Sequence, residues 1–221
     1  VPFKLSSDPE YFNVSLNDGS WDLLVMDLPW YGIEAYIGEI IEYLDGGGRL
    51  VLSTWEYFNE DSAPLWDYLG VHSEGAFMDL SPIYLWDDTH PIFEVPNDYS
   101  AANLSNAVNY FIWDLNNLTI YDNATALAGL DPELGDTNVS IVSSVDGRAI
   151  VNGLLTTLYV NDTDDSTYSD ALEIWMNEIA YLLRPTIDSP ADVVAEGGSP
   201  EVSGTWTPER ERPYRYEIRE E

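Results

Sequence analysis

Two apolar runs with an amphipathic stretch between them mark the most regular part of the chain. The first runs from Trp21 to Asp27, ahead of Leu28-Pro29, and the second runs from Arg49 to Thr54. Between them, apolar residues recur at helical spacing from Ile33 to Leu44, and three consecutive glycines follow. Runs that are apolar throughout are typical of strands buried on both faces. The order predicts a strand, helix, strand crossover, which requires a parallel sheet and a right-handed connection.

Further elements follow this crossover. Pro64 near the start and Gly70 after the end delimit a short predicted helix, Ala63 to Leu69. The Asp146-Gly147 pair provides the positive φ angles of a tight turn, so it predicts a hairpin. The predicted strands are Leu118 to Tyr121, Thr125 to Ala128, Ser140 to Ser144 and Arg148 to Leu155; a final amphipathic helix covers Ala171 to Leu183, and residues 75–105 are expected to form loops and short strands over the carboxyl edge of the sheet.

A change of composition after Pro185 marks a domain boundary. Upstream of it strands and helices alternate, whereas residues 186–221 are rich in Pro, Gly and Ser and contain short alternating strands. A chain of 221 residues can bury one sizeable core with some length left for part of a second module. We therefore expect an α/β domain over residues 1–184 and a partial β module over residues 185–221.

The net charge of the chain limits the classes of partner that it is expected to bind. The formal net charge is −32, from 40 acidic and 8 basic residues. Such an excess repels phosphate backbones and anionic lipid, which disfavours binding to nucleic acid or to a membrane surface. Because self-repulsion strains a compact state unless ions screen it, a saline or cation-rich medium is expected. No apolar run reaches the ~20 residues that span a bilayer, so direct membrane insertion is not expected.

Six Asn-x-Ser/Thr triplets point to an extracellular or cell-surface protein that carries N-linked glycans. About two would be expected by chance in a chain of this composition. The alternative is that a chain rich in Asn and Thr collects such triplets by accident. The six acceptor positions are Asn13, Asn103, Asn117, Asn123, Asn138 and Asn161.

The order of these elements resembles the class I glutamine-amidotransferase-like superfamily, and in particular its trehalose-utilisation-type branch. The matching segments are Trp21 to Asp27, Gly46 to Ser53, Leu69-Gly70-Val71, His90 to Phe93 and the closing helix. The resemblance covers residues 1–184 and implies an α/β, flavodoxin-like sandwich built on a parallel sheet. In that family a further strand and helix normally precede the first of these segments, so we expect either that the chain begins inside the domain or that another segment supplies them.

The last segment resembles the start of immunoglobulin-like repeats in large archaeal surface proteins. The matching segments are Pro185 to Asp192, Gly204 to Pro208 and Tyr214 to Ile218. An immunoglobulin-like module needs about seven strands, whereas about three fit here. The resemblance therefore implies a partial β-sandwich.

The resemblance also implies a place to look for catalysis. Amidotransferase members use a cysteine on a sharp turn after a buried strand, a histidine base and an acidic partner. The chain has no cysteine, which excludes the glutaminase mechanism together with disulfides and thiolate metal sites. A serine variant would combine Ser53, His90 and Glu56. In the alternative, His90 orders the loop before Pro91 and Ser53 only ends a strand.

Two other features suggest binding sites. The oxygen-rich turn with Asp162, Asp164 and Asp165 suits Ca²⁺, although the same acids would also favour the N-terminal end of the last helix. Aromatic side chains at strand ends or in loops suit carbohydrate or protein contacts, although core packing claims many aromatics in any fold of this size. These aromatic residues are Trp30, Tyr31, Trp55, Tyr57 and Trp86.

Taken together, the sequence favours a non-catalytic structural or interaction protein of an archaeal-type exterior, a component of a surface layer, sheath or filament. Its expected partners are copies of itself or neighbouring surface-protein domains, because unpaired sheet edges invite strand addition. Ca²⁺ is the one cofactor that the residues suggest. The alternatives are an extracellular hydrolase acting on sugar or ester bonds and a glycan-binding module.

Overall fold

In the computed structural model, strand β1 (Leu24–Leu28), helix α1 (Ile37–Asp45) and strand β2 (Leu50–Thr54) form the predicted crossover. The two strands are parallel, with Val25 opposite Val51. The structure describes residues 12, 15–17, 21–28, 34–54, 63–77, 82–98, 115–121, 123–154, 168 and 170–184. Residues 185–221, for which the sequence predicts an immunoglobulin-like module, lie outside this part of the chain.

The remaining elements complete a mixed sheet. In chain order they are α2 (Ala63–Leu69), β3 (Val71–Phe77), β4 (Tyr84–Leu85), β5 (Leu115–Ile120), β6 (Ala124–Gly129), β7 (Val139–Ser144), β8 (Ala149–Asn152) and α3 (Asp170–Leu183). The main strand order is β1-β2-β8-β7-β5-β3, and β6 pairs with both β7 and β4. Strands β1, β2 and β8 are mutually parallel, and the other pairs are antiparallel. The fold is α/β, as predicted.

Helices cover both faces of the parallel part of the sheet. On one face, α1 and α2 pack with Leu50 and Leu52 of β2 in an apolar core. On the other face, α3 and the short 3₁₀ helix Pro91–Phe93 pack with Val51 of β2 and Ile150 of β8. Because successive side chains of a strand point to opposite faces, this division follows from the apolar run of β2.

Strand β1 differs from its prediction. The apolar run from Trp21 to Asp27 predicted a strand buried on both faces, yet Val25 is 37% exposed. Strand β1 lies at one end of the described strand order, so it is less well covered than β2, where Leu50, Val51 and Leu52 are all fully buried. An apolar run therefore predicted the strand correctly but not its place in the sheet.

Strand β3 was not among the predicted strands, because the sequence indicated only loops and short strands from Gly75 onward and no element between Gly70 and Gly75. Instead β3 continues to Phe77 and pairs antiparallel with β5. The register shifts between Ser73 and Gly75, and Gly75 has a φ of 116°. A glycine at such a bulge interrupts the alternation of side chains, so the periodic signal of the strand is lost.

The hairpin between β7 and β8 confirms the turn prediction and ties the sheet to α1. Val145, Asp146 and Gly147 all have positive φ, at 51°, 56° and 77°, and Gly147 N donates to Ser144 O. The next residue, Arg148, donates from Nη1 to the carbonyl oxygens of Leu44 (2.6 Å) and Gly48 (3.0 Å). A guanidinium placed there stabilises the negative end of the α1 dipole.

Candidate functional site

A row of polar residues crosses the parallel strands near their carboxyl ends. Asp27 of β1 lies opposite Ser53 of β2, and Ser53 lies opposite Asn152 of β8. Since Val51 and Ile150 face α3, the alternation along each strand places Ser53 and Asn152 on that face too.

This row lies at a topological switch point. After β2 the chain continues to α2 on one face of the sheet, whereas the helix that follows β8 in the described residues is α3, on the other face. In open α/β sheets, ligands bind outside the carboxyl ends of strands whose connections diverge in this way. In this fold, the position at which open α/β sheets usually bind ligands lies between Ser53 and Asn152.

Side chains from three elements meet there in a buried hydrogen-bonded network. Asn152 Nδ2 donates to Ser53 Oγ (3.2 Å) and to Glu178 Oε2 (3.0 Å). All three residues are buried, Asn152 being 1% exposed and the other two fully covered. Among the described residues, no hydrogen-bond partner faces Asn152 Oδ1 or Glu178 Oε1.

The protonation state of Glu178 follows from this burial. Desolvation raises the pKa of the Glu178 carboxyl to about 8, and the hydrogen bond from Asn152 opposes that rise only in part. A carboxyl with such a pKa is mostly protonated and uncharged at neutral pH. The network is therefore an uncharged one, built of a hydroxyl, an amide and a carboxylic acid.

His90 is bonded elsewhere. It caps the Pro91–Phe93 helix, where its Nδ1 accepts from Ile92 N (3.4 Å), and its ring centroid lies 5.0 Å from that of Tyr181. Burial lowers the pKa of His90, against the opposing field of the Asp87 carboxylate. In the described residues no hydrogen bond joins His90 to Ser53, and Glu56 lies outside them. The structure thus gives His90 the loop-ordering contact of the alternative interpretation.

Asn177 of α3 holds the segment after the 3₁₀ helix against the domain. Its Oδ1 accepts from Asn97 N (2.9 Å) and from Asn97 Nδ2 (3.0 Å). Its Nδ2 donates to the carbonyl oxygens of Ile92 (2.9 Å) and Asn97 (2.8 Å). This fully buried amide therefore fixes the position of the loop that covers the α3 face.

Sequence reasoning missed Asn152, Asn177 and Glu178, although a signal for one of them was present. Ile174, Glu178 and Leu182 are spaced four residues apart, so they lie in one line along α3. Ile174 and Leu182 are core residues, and a glutamate between two core positions must also be buried. A charged residue inside the apolar stripe of an amphipathic helix is the signal that could have identified it.

Of the five aromatic residues predicted to bind carbohydrate or protein, Trp86 is the one that lies in the described part of the chain. The indole of Trp86 packs over Gly129, and its Nε1 donates to Asp131 O (2.9 Å), so its described contacts are structural. Trp30, Tyr31, Trp55, Tyr57 and the Ca²⁺ candidates Asp162, Asp164 and Asp165 lie outside the described residues. Within the described ranges, no group of three or more His, Cys, Asp or Glu side chains could hold a metal ion.

Three of the six Asn-x-Ser/Thr positions are described, and their surroundings differ. Asn117 and Asn138 are half-buried and bonded to each other, whereas Asn123 is exposed in the turn between β5 and β6. Asn13, Asn103 and Asn161 are outside the described ranges. None of the described helices combines the length and the apolar character that a membrane span requires.

Comparison with known proteins supports the fold. No protein-family model and no curated protein matches the chain. The chain is similar in structure to a ThuA-like protein from Bacteroides uniformis, with 12% identity and a TM-score of 0.53, over 80% of this chain and 75% of that chain. It also matches the N-terminal domain of mmIFT52, with 11% identity and a TM-score of 0.48, over 84% of each chain. The likeness to the ThuA-like protein confirms the α/β fold that the sequence predicted.

Proposed function

We propose that this chain is a non-catalytic interaction domain of a glycosylated exterior protein, a component of a surface layer, sheath or filament. The observation that carries the proposal is the buried network at the switch point. Where related α/β domains place a reactive side chain on a turn, Ser53 lies within β2 and is fully buried. Asn152 Nδ2 donates to its hydroxyl oxygen.

Ser53, Glu178 and His90 are each unsuited to nucleophilic catalysis in this arrangement. A hydroxyl oxygen that accepts a hydrogen bond loses electron density, which weakens it as a nucleophile. Glu178 is mostly protonated at neutral pH, because burial raises the pKa of its carboxyl to about 8, and its side chain is fully buried, away from any substrate in solution. The Nδ1 of His90 is engaged with the backbone of Ile92. The network is better suited to fixing the packing of α3 on the sheet.

Helix α3 also supports an interaction role, because some of its charged residues are buried and some of its apolar residues are exposed, the reverse of the usual arrangement. Between Leu172 and Leu183 the only charged residues are Glu173 and Glu178, and both are buried. Leu172, Met176 and Leu183 are instead 38%, 37% and 37% exposed. In a chain of net charge −32, this stretch of helix offers solvent an uncharged and partly apolar surface.

The partner that we propose for this surface is a second copy of the chain. Acidic surfaces of two copies repel each other, so close approach is favoured where exposed charge is missing from both. A symmetric contact pairs this surface with itself and meets that condition. The exposed apolar area is well below the ~800 Å² per partner of a standard interface, so association is expected to be weak and dependent on concentration and salt.

Light scattering coupled to size-exclusion chromatography tests this proposal in high salt. The molar mass of the wild type is expected to rise with protein concentration, whereas Leu172→Ser combined with Met176→Ser keeps the protein monomeric. Leu134→Ser is the matched control, because Leu134 is 69% exposed in a different segment. A wild type that stays monomeric at every concentration, or a double variant that associates equally well, contradicts the proposed contact.

One observation favours the hydrolase alternative. A carboxyl that stays protonated at neutral pH is the form required of a general acid in glycoside hydrolysis, and Glu178 has that property. A panel of chromogenic glycosides and esters tests the alternative with the wild type, Glu178→Gln and Ser53→Ala. Turnover that the wild type shows and both variants lose would replace the non-catalytic proposal, and an equally inactive set of three supports it.

A further inference from the structure

The three described Asn-x-Ser/Thr triplets differ in how accessible their asparagine side chains are to a glycosylating enzyme. Two of the asparagines belong to a chain of side-chain hydrogen bonds. Asn117 Nδ2 donates to Asn138 Oδ1 (2.7 Å), and Asn138 Nδ2 donates to Asp131 Oδ2 (2.6 Å). The amide nitrogens that a glycan would use are therefore already engaged within the folded domain.

Asn117 is further restricted by its position in the sheet. It lies inside β5, opposite Gly75 of β3, while Leu118 beside it pairs with Val139 of β7. A bulky saccharide on a half-buried strand residue would have to displace its neighbours or stay outside at the cost of the hydrogen bond to Asn138. The folded domain therefore disfavours modification at this position.

Asn138 is restricted through its triplet partner and its backbone. The hydroxyl residue of its triplet, Ser140, is fully buried in β7. Asn138 itself has a φ of 57°, a left-handed conformation that asparagine tolerates better than most residues. Its carbonyl oxygen accepts from Leu130 N (2.8 Å). These contacts give Asn138 a structural role in the β6–β7 pairing.

Asn123 has the opposite surroundings. It is exposed in a turn that is closed by the bond from Ala124 N to Tyr121 O (3.0 Å), and the hydroxyl residue of its triplet, Thr125, is exposed as well. Its side-chain amide lies over Gly70, which has no Cβ to obstruct it, and the residue is otherwise exposed. Two residues earlier, Tyr121 is 49% exposed and provides an aromatic face on which a sugar ring can stack.

We propose that Asn123 is an N-glycosylation site of this domain, and that Asn117 and Asn138 stay unmodified. The co-substrate is a saccharide linked to a lipid phosphate. Asn123 Nδ2 forms the bond to the anomeric carbon, the bond from that carbon to the carrier phosphate oxygen breaks, and the phosphate leaves with the electron pair. One amide proton is lost to solvent. The inference rests on the exterior location proposed above.

Peptide mapping by mass spectrometry of the secreted, folded protein from its native cells tests the inference. The peptide with Asn123 is expected to carry a saccharide mass, whereas the peptides with Asn117 and Asn138 carry none. A glycan on Asn117 or Asn138, or glycans at other triplets with none on Asn123, overturns the inference and leaves the exterior location intact. Absence of glycan from all six positions overturns both.

Variants of the third triplet position sharpen this test without touching the acceptor. Thr125→Ala is expected to lower the intact mass by one glycan, and Thr125→Ser to retain that glycan, because the triplet accepts either hydroxyl residue. Asn117→Gln is the matched control and is expected to leave the number of glycans unchanged. Thr125→Ala protein with an unchanged glycan count also contradicts the assignment.

Discussion

The two faces of the sheet are built from different chemistry. The face covered by α1 and α2 is an apolar core, with Leu44, Leu50 and Leu69 all fully buried. The face covered by α3 combines apolar residues with fully buried polar ones, Asn177 and Glu178 among them. One strand therefore takes part in two kinds of packing, since alternate residues of β2 face each side. Packing on the first face is mainly apolar, with a buried bond from Ser144 Oγ to Leu69 O, whereas the second face also depends on a network of buried amides and on the protonation of Glu178.

The largest expected effect comes from the apolar face. Leu50→Ala removes a fully buried side chain and leaves a cavity, so the free energy of unfolding is expected to fall by about 2–5 kcal/mol. Urea unfolding followed by tryptophan fluorescence at fixed salt measures it. The control is Leu134→Ala, expected to change stability by no more than about 0.5 kcal/mol because that side chain is largely exposed. Equal losses for the two variants would contradict the assigned core.

The next effect is on the α3 face. Asn177→Ala removes the bonds to Asn97 and Ile92 and leaves their buried polar groups without partners, so a loss of about 1–3 kcal/mol is expected. Asn177→Asp keeps the acceptor but loses the donor, so it should not restore stability. Hydrogen exchange should show faster exchange in the segment around Asn97 for both variants. Unchanged exchange there would show that Asn177 does not hold this segment.

The free energy of unfolding is expected to depend on pH through Glu178 on the α3 face. The pKa of Glu178 is about 8 in the folded protein against a usual 4.5, so the folded state binds more protons between those values. The stabilisation is complete below about pH 4.5 and is lost as the pH rises through about 8, with a slope of at most about 1.4 kcal/mol per pH unit. Glu178→Gln, which imitates the protonated carboxyl, is expected to remove this slope.

Urea unfolding of the wild type and Glu178→Gln between pH 5 and pH 9 measures that difference. Glu94→Gln is the matched control, because Glu94 is an exposed glutamate that follows the 3₁₀ helix on the same face. The wild type should lose stability relative to Glu178→Gln as the pH rises, and Glu94→Gln should follow the wild type. Parallel curves for all three proteins would rule out a buried, neutral Glu178.

The smallest expected effect has the opposite sign and comes from His90. Burial lowers its pKa below the usual 6.5, so the unfolded state binds more protons in that range and stability is lost as the pH falls through the folded pKa. His90→Asn keeps a good capping acceptor and should remove this loss on acidification. His72→Asn, at the other, exposed histidine, is the control. Urea unfolding between pH 7 and pH 4.5 in which His90→Asn shows the same pH dependence as wild type contradicts the lowered pKa of His90.

The crossover and the last helix were predicted from the sequence because their apolar residues follow a single period. Strand β2 and helix α1 meet their predicted positions closely, and the Asp146-Gly147 turn has the positive φ angles that its residue types favour. Strand β3 was not predicted from the sequence, because Gly75 breaks its alternation at a bulge. The candidate site was harder to predict, because its residues are far apart in the sequence. Asn152 lies 99 residues after Ser53 and 26 residues before Glu178.

The sequence by itself determined that this is an acidic, cysteine-free chain with an α/β fold, because composition and periodicity are local properties that need no partner. Only the tertiary structure decided which polar residues are buried. Asn152 and Glu178 look like ordinary polar residues along the chain, and they meet because β8 inserts between β2 and β7 while α3 returns across the opposite face from α1. The environment of a side chain depends on what the fold brings to it, and that sets both the pKa of Glu178 and the accessibility of each asparagine.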